Sequence, residues 1–394
     1  MAKLIDITGK AISGEWGTDD LVGNGVPVLR TTNFTNIGVI NFNNVVTRQI
    51  VKKSISEKLL RYGDIIIEKS GGSDKQPVGR VVFFEGEENK YLFNNFTGLL
   101  RVRDFCEWNP KYIFYSLFAN YAKGGTIPFE NRTTGLHNLQ TDSYVNNVMI
   151  VERKIEEQTD IVTILDKVNQ LINYEKKQLE DLDILVKSRF IEMFGDPVSN
   201  PKGWILKKLS DLGQFKNGIN FHFDDAGIEI YCLGVGNFKN NDVLNNMKEL
   251  SLISLSNLPS EEYFLHDNDI VFVRSNGNKA LVGRCLAVYP GEVPVIFSGF
   301  CIRFRKNNDS ILIPYLLHIL KCESVRRKLT GRGANIQNLN QQILGNLIIP
   351  LPPLELQNRF ATFVIETNKS KLAIQQSLDE LETLKKSLMQ QYFG

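Results

Sequence analysis

The sequence predicts an α+β fold in which two globular α/β-mixed modules are joined by two long antiparallel coiled-coil helices, with an internal pseudo-two-fold repeat. Three observations favour this fold. Short motifs recur at a spacing near 200 residues. Each half opens with strand-like runs of β-branched and aromatic residues, and each half ends with apolar residues spaced three and four apart, which is typical of a helix.

Composition bounds the class of protein. The chain has 394 residues, of which 42% are hydrophobic and 23% charged, so it is long enough for two or three folded domains and is neither disordered nor collagen-like. Its five cysteines are odd in number and never spaced as CxxC, and its longest apolar stretch, residues 311–320, is too short to span a bilayer. We expect a reduced cytoplasmic protein without a disulfide framework.

The net charge of +2 hides an uneven distribution. Residues 1–154 carry a net charge of +3 and residues 202–353 carry +4, whereas residues 155–195 carry −4. The basic excess therefore lies in the two predicted modules and not in the first predicted helix.

The first part of each half contains the same motifs in the same order. These motifs lie among predicted secondary-structure elements. The elements are strands at 64–69, 80–84 and 269–274, helices at 111–121 and 313–329, and short strands at 148–151 and 347–350. The matching motifs are Asn33-Phe34 with Asn237-Phe238, Gly63-Asp64 with Asn268-Asp269, Val78-Gly79-Arg80 with Val282-Gly283-Arg284, and Asn138-Leu139 with Asn338-Leu339.

In the last part of each half the spacing is constant at 199 residues, as in Leu179 with Leu378 and Phe194 with Phe393. A register without gaps predicts one uninterrupted helix of about 40 residues, which would be about 60 Å long. The second helix is expected to pack antiparallel on the first and give a dumbbell. The predicted apolar seams are Ile161, Ile164, Leu165, Val168, Leu171, Ile172, Leu179, Leu182 and Leu185 in one helix, and Phe360, Phe363, Val364, Ile374, Leu378, Leu381, Leu384 and Leu388 in the other.

One stretch resembles a known family. The run from Leu347 through Pro350-Leu351-Pro352-Pro353 to Leu354-Glu355-Leu356-Gln357, preceded by Asn338-Leu339-Asn340 and followed by the long helix, resembles the specificity subunit of Type I restriction–modification systems. The first copy departs from this pattern, because Val151-Glu152-Arg153-Lys154 replaces the proline-rich step. The Glu and Gln positions are kept at Glu156 and Gln158.

The resemblance implies a domain layout and a set of partners. Residues 1–154 and 196–353 would be two target-recognition domains, each reading one half of a bipartite site in double-stranded DNA. Residues 155–195 and 354–394 would be spacer helices that set the gap and dock two adenine-methylating modification subunits. Restriction subunits with translocase and nuclease activity would join the complex, and the specificity chain itself would perform no chemistry and need no cofactor or metal.

Candidate DNA-binding residues are basic and amide side chains in the loops of the two modules, because Arg and Lys suit guanine or phosphate and Asn and Gln suit adenine. In the first module they are Lys69, Ser73, Lys75, Asn131, Arg132, His137, Asn138 and Gln140. In the second module they are Arg274, Asn276, Asn278, Lys279, Arg326, Arg327, Lys328, Arg332, Asn335, Gln337 and Asn338.

Candidate partner-binding residues are apolar residues of the first helix that lie outside its predicted seam. The segment that contains them has a negative net charge. They are Ile184, Val186, Phe190, Ile191 and Met193.

Two alternative functions remain open at the level of sequence. A self-contained modification or restriction enzyme would use motifs such as Asn109-Pro110-Lys111-Tyr112, or Asp64 with Glu88-Asn89-Lys90, but each has a structural interpretation and no glycine-rich cofactor loop accompanies them. A helical scaffold with protein-binding basic modules is the second alternative. It predicts no salt-dependent DNA binding, unlike the DNA-reading interpretation.

Overall fold

A computed structural model describes residues 1–50, 55–74, 76–133, 136–221, 227–238, 242–330 and 338–394. The chain divides into two compact units, one made of Met1–Lys176 and Gln376–Gly394 and the other of Lys177–Gln375. Two 40-residue helices, α4 (Ile155–Phe194) and α9 (Leu354–Phe393), each contribute residues to both units. Both helices were predicted, and their ends agree closely with the register of 199 residues.

The first unit is built on an antiparallel sheet of order β2-β10-β6-β8, with a second sheet of order β3-β5-β4-β9, a third of order β11-β12-β7 and a β1-β13 pair. Its strands are β1 (Ala2–Lys3), β2 (Ile12–Ser13), β3 (Thr18–Asp19), β4 (Val26–Leu29), β5 (Val46–Gln49), β6 (Ile65–Glu68), β7 (Ser70–Gly72), β8 (Val81–Phe83), β9 (Leu92–Phe93), β10 (Thr97–Leu100), β11 (Glu130–Thr133), β12 (Leu136–Leu139) and β13 (Met149–Ile150). Its shorter helices are α1 (Leu4–Thr8), α2 (Pro110–Ala122) and α3 (Thr141–Asn147).

The second unit repeats this plan, with a main sheet of order β15-β22-β19-β20-β17, a sheet of order β18-β16-β21 and a β14-β23 pair. Its strands are β14 (Ile205–Lys208), β15 (Gly213–Asn217), β16 (Ile228–Leu233), β17 (Val243–Leu244), β18 (Ser251–Leu255), β19 (Asp269–Val273), β20 (Cys285–Val288), β21 (Val295–Phe297), β22 (Cys301–Lys306) and β23 (Ile348–Leu351). Its shorter helices are α5 (Leu209–Leu212), α6 (Ile313–Lys321), α7 (Glu323–Thr330) and α8 (Gln341–Gly345).

The helix predicted at 313–329 is therefore two helices. Cys322 separates α6 from α7 and adopts extended backbone angles, with φ of −56° and ψ of 134°. The first helical turn of α6 contains Pro314, as the sequence predicts.

The central strands of the two main sheets begin with the same buried ion pair. Arg101 Nε and Nη2 donate to the two carboxylate oxygens of Asp64, both at 2.7 Å. Arg305 Nε and Nη2 donate to those of Asp269 at 2.8 and 2.7 Å. The aspartate recurs because in each unit it forms a bidentate ion pair with an arginine, which fixes the start of β6 and of β19.

Within each unit the segments of α4 and α9 pack antiparallel, as predicted. In the first unit Lys176 Nζ pairs with Glu382 Oε1 at 2.8 Å and Glu175 Oε1 accepts a hydrogen bond from Ser377 Oγ at 2.6 Å. In the second unit Lys371 pairs with Asp183. Phe190 in that unit contacts Phe360, so residue numbers rise from 183 to 190 along α4 as they fall from 371 to 360 along α9, which is the antiparallel arrangement.

The seam itself differs from the prediction at several positions. Ile164, Leu171, Leu185 and Leu384 were assigned to it but are exposed, whereas Val186 and Phe190 are buried. Apolar residues occupy both 185 and 186, so periodicity alone cannot choose between them. The choice is made by Phe190, one turn further on, which contacts Tyr315 and Phe360 in the core of the second unit.

In the described part of the chain, we find no helix whose length and hydropathy would suit a membrane span.

Candidate nucleic-acid interface

The predicted recognition segments meet at the end of the central strand in each unit. The backbone N–H groups of Lys69 and Ser70, after β6, donate to the carbonyl of Phe96 at 2.8 and 3.2 Å, and Leu139 N–H donates to Lys69 O at 2.8 Å. This last bond, together with pairing of Asn138 with Ser70, attaches β12 to the strand end. The structure therefore brings these separate candidate segments together in the first unit.

The second unit repeats these contacts at equivalent residues. Arg274 and Ser275 N–H donate to the carbonyl of Phe300 at 2.8 and 3.4 Å, and Leu339 N–H donates to Arg274 O at 2.8 Å. Asn338 forms an isolated bridge with Ser275. We define the strand-end cluster as Lys69, Ser70, Phe96 and Asn138 in the first unit and Arg274, Ser275, Phe300 and Asn338 in the second.

The basic side chains of the cluster are held beside the main sheets. Lys69 Nζ donates to Ser13 Oγ at 3.0 Å, and burial lowers the pKa of Lys69 below its usual range. Arg274 Nη1 donates to the carbonyl of Gly299 at 3.4 Å. Both side chains are partly exposed, so their cationic groups can approach a ligand.

Other candidates of the first unit divide into exposed and buried groups. Asn131, Ser73 and Gln140 are exposed, and Ser73 forms a reciprocal backbone pair with Gln76. His137 is buried on β12, with Nδ1 3.1 Å from Glu130 Oε2 and Nε2 3.5 Å from Asp74 Oδ1. These contacts give His137 a structural role in the hairpin.

Two asparagines that follow the strand end of the second unit shape the chain there. Asn276 Oδ1 accepts a hydrogen bond from Asn278 N–H at 2.7 Å, and Asn278 Oδ1 accepts one from Ala280 N–H at 3.0 Å. Their side-chain oxygens are thus engaged in local turns. The amide nitrogens are the part of each side chain that can bind a partner.

The basic run on α7 contains residues with different roles. Arg326 donates from Nη1 to Gly283 O at 3.0 Å and from Nη2 to Val282 O at 3.3 Å, and burial lowers its pKa. Arg327 is exposed and pairs with Glu323 one turn earlier, at 2.9 Å. Lys328 is exposed. Arg326 therefore anchors α7 to the repeated Val-Gly-Arg step, and Arg327 and Lys328 face solvent.

Some predicted contacts cannot be placed. Lys75, Arg332, Asn335 and Gln337 lie outside the described residues, as do the side chains of Arg132 and Lys279.

Some of the predicted partner-binding residues of α4 are exposed and others are buried. Ile184 and Ile191 are exposed, but Val186 and Phe190 are buried in the core of the second unit, and Met193 packs against that core. Burial leaves Val186 and Phe190 without an accessible surface for a partner. The exposed apolar surface at this point consists of Ile184, Leu185 and Ile191.

Residues of the enzyme-like motifs have structural roles. Asn109 Oδ1 accepts from Lys111 N–H at 2.9 Å and caps α2, and Tyr112 donates its hydroxyl to Val151 O at 3.0 Å. Asp64 is bound by Arg101, and Lys90 pairs with Glu87 at 2.6 Å. Among the described residues, no group of three or more His, Cys, Asp or Glu side chains is arranged to hold a metal ion.

The main sheets of the two units share an arrangement of four antiparallel strands, and each unit has a cationic and polar strand-end cluster. The chain is thus a duplicated protein that presents the same kind of polar surface twice. Residues 201–383 match the family described as the Type I restriction modification DNA specificity domain. Residues 201–383 therefore carry a Type I restriction–modification DNA specificity domain, and the chain is similar over 89% of its length to a specificity subunit of such a system, the non-catalytic part of the complex.

Individual relatives agree with this assignment. The StySPI specificity subunit of Salmonella potsdam is 25% identical over 372 residues, which cover 89% of this chain and 77% of that protein. A Methanocaldococcus jannaschii protein described as the MjaX specificity subunit is 25% identical over 214 residues, 49% of this chain and only 46% of that protein.

Solved structures share the fold over the whole chain. The S subunit from M. genitalium matches with a TM-score of 0.57 and 14% identity, covering 100% of this chain and 95% of that one. A chain from a structural study of complex assembly in the type I R-M system matches with a TM-score of 0.59 and 16% identity, covering 100% and 96%.

Proposed function

We propose that each unit binds one half of a bipartite site in double-stranded DNA through its strand-end cluster and the loops beside it. The observation that supports this most strongly is that the same backbone hydrogen bonds occur in both units, whereas the side chains beside them differ. Lys69-Ser70 and Arg274-Ser275 are held by the same backbone bonds, but the residues that follow are Gly71-Gly72-Ser73 in one unit and Asn276-Gly277-Asn278 in the other. A common frame with different side chains is what two different half-sites require.

The target-recognition domains would be residues 1–154 and 196–353, and the spacer helices residues 155–195 and 354–394. In this proposal α4 and α9 set the gap between half-sites, because an unbroken helix has a fixed rise per residue. A DNA ligand and five free cysteines suit a cytoplasmic location.

The partners would be two adenine-methylating modification subunits, joined by restriction subunits in the larger complex. Leu185 on α4 and Leu384 on α9 are 199 residues apart and are 47% and 46% exposed. Two equivalent exposed leucines on two equivalent helices support two equivalent docking sites. Apolar residues of this kind form the buried centre of protein interfaces.

Selection from a pool of random duplexes tests the DNA-reading proposal. The full chain in complex with its modification subunits should enrich two short fixed sequences separated by a gap of constant length. Binding should weaken steeply with salt because cationic residues displace counterions from phosphates. Enrichment of one continuous sequence, or binding that is independent of salt, would contradict the proposal.

A further inference from the structure

Phe96 and Phe300 occupy equivalent places in the two units. They are 204 residues apart, the same spacing as between Asn33 and Asn237. Each immediately precedes a strand of the main sheet, β10 or β22. The side chain of Phe96 is 52% exposed and that of Phe300 is 60% exposed. Neither residue is among the candidates predicted from the sequence, although their spacing of 204 residues is visible there.

Other residues that recur between the halves have structural explanations. Asn33 and Asn237 use their side-chain oxygens to accept backbone N–H groups, from Arg30 at 3.0 Å and from Gly234 at 2.9 Å. The neighbouring Phe34 and Phe238 are buried. A recurring phenylalanine that is more than half exposed lacks the burial that usually favours this residue. Its recurrence is therefore better explained by contact with a ligand than by packing in the core.

The backbone at both phenylalanines is fixed. Each carbonyl accepts two N–H groups from the strand end, those of Lys69 and Ser70 in the first unit and those of Arg274 and Ser275 in the second. The rings are therefore presented to solvent from a rigid position, so that little backbone entropy is lost when a partner covers them.

The surroundings indicate the chemistry of the partner. The backbone of each phenylalanine is bonded to a basic residue and a serine, Lys69 and Ser70 or Arg274 and Ser275, and that serine pairs with an asparagine of the strand-end cluster. Cationic and hydroxyl groups bind phosphate and sugar, whereas lysine is depleted from the centre of protein interfaces. A ring among such groups is suited to duplex DNA, in which apolar side chains pack on deoxyribose and base steps.

We propose that Phe96 and Phe300 each pack against the DNA at the same point of their half-sites. This inference rests on the function proposed above and adds a division of labour to it. The rings are identical in both units and supply affinity that does not depend on base sequence. Side chains that differ between the units read the bases.

Full-length Phe96→Ala and Phe300→Ala variants test this proposal, with Phe105→Ala as the matched control. Phe105 is also exposed, but the residue 204 positions later is Asp309. The probe is the duplex enriched by selection, measured by fluorescence anisotropy. Each variant should bind it about tenfold more weakly, as expected for losing contact with roughly half a phenyl ring. Phe105→Ala should bind like the parent chain.

The ratio of affinities for the selected duplex and for duplexes with one half-site base changed should stay the same in both variants. The thermal unfolding midpoints should also match that of the parent, because the rings are exposed. A second variant, Phe96→Glu, places a negative charge against phosphate and should weaken binding further than Phe96→Ala does.

Parental affinity in both alanine variants would overturn the proposal, and so would a changed base preference. Retained DNA affinity with lost binding of modification subunits would assign the rings to a protein contact instead. A parent chain that shows no preference for any duplex would contradict the proposed function itself, which is a distinguishable result.

Discussion

Gln158 and Gln357 make the same three hydrogen bonds from equivalent positions 199 residues apart. Both side chains are fully buried near the start of a long helix. Each side-chain oxygen accepts one backbone N–H, and each side-chain nitrogen donates to two backbone carbonyls. The partners are Asn109 N, Glu107 O and Arg153 O for Gln158, all at 2.9 Å, and Leu312 N (2.9 Å), Ser310 O (3.1 Å) and Pro352 O (2.9 Å) for Gln357.

This relationship predicts a large loss of stability when either glutamine is replaced. Gln158→Leu and Gln357→Leu would each remove the side-chain partner of three backbone groups from a fully buried position, which should lower the free energy of unfolding by about 2–4 kcal/mol. Urea denaturation of the full chain measures this. Gln170→Leu, an exposed position on the same helix as Gln158, is the control and should change stability by less than about 0.5 kcal/mol. Equal effects at all three positions would contradict the assigned role.

The buried ion pairs predict matched effects in the two units. Asp64→Ala would leave Arg101 partly buried without its carboxylate, and Asp269→Ala would do the same to Arg305. Removing one member of such a pair should destabilise the chain by about 3–5 kcal/mol. Double-mutant cycles with Arg101→Met and Arg305→Met should show a similar coupling energy in each unit. Coupling in only one of them would contradict the repeated frame.

His318 predicts a stability that falls in mild acid. The ring lies between Phe190 and Phe360, and burial lowers the pKa of His318 from 6.5 to about 4. Above the unfolded-state pKa the neutral buried ring makes its full contribution to the free energy of unfolding. That contribution is lost as pH falls from 6.5 towards 4. The loss attributable to His318 between pH 7.5 and 5 should be about 2 kcal/mol. In urea denaturation, His318→Phe should remove that part of the pH dependence, and an unchanged dependence would refute the assignment.

The exposed leucines of α4 and α9 predict two independent docking sites. Leu185→Glu or Leu384→Glu should each reduce the number of bound modification subunits from two to one, and the double variant should bind none. Sedimentation of the reconstituted complex measures the stoichiometry. Leu372→Glu is the control, because Leu372 is exposed on α9 but its equivalent in α4 is Asn173. Loss of both subunits from a single variant would show that the sites are not independent.

Adjacent residues of α7 predict opposite phenotypes. Arg326→Ala would remove the donors to Val282 and Gly283 and should lower stability by about 1–3 kcal/mol. Lys328→Ala should leave stability unchanged but weaken DNA binding uniformly across sequences, reducing the slope of log K against log salt by about 1. Anisotropy at several salt concentrations, with thermal denaturation in parallel, separates the two. A stability loss in Lys328→Ala would contradict its placement in solvent.

The duplication was visible in the sequence because the two halves keep short motifs that the frame needs. Asp64 and Asp269 recur because each binds an arginine, and the constant spacing of 199 residues follows from two helices of equal length. The order of strands in the main sheets was not predicted, because it depends on pairings between residues far apart in the chain.

Individual roles were harder to predict than the frame. His137 and Arg326 have the residue types of DNA-binding positions, but their partners Asp74 and Gly283 become neighbours only on folding. Leu185 and Val186 fit the helical period equally well, and only packing in the second unit decides between them. Sequence periodicity and residue type therefore do not reveal which residues are buried by segments far away in the chain.

Methylation mapping of genomic DNA, from cells with and without the gene for this chain, is the decisive measurement of whether the chain directs methylation to a bipartite site. We expect deletion to abolish adenine methylation at one bipartite motif, whose two parts are separated by a gap of constant length, and to leave other methylated motifs unchanged. Exchange of Asn276 and Asn278 for serine should then alter the bases of only one part of the motif. Persistence of every methylated motif when the gene is deleted from cells in which the system is expressed would show that this chain does not direct methylation.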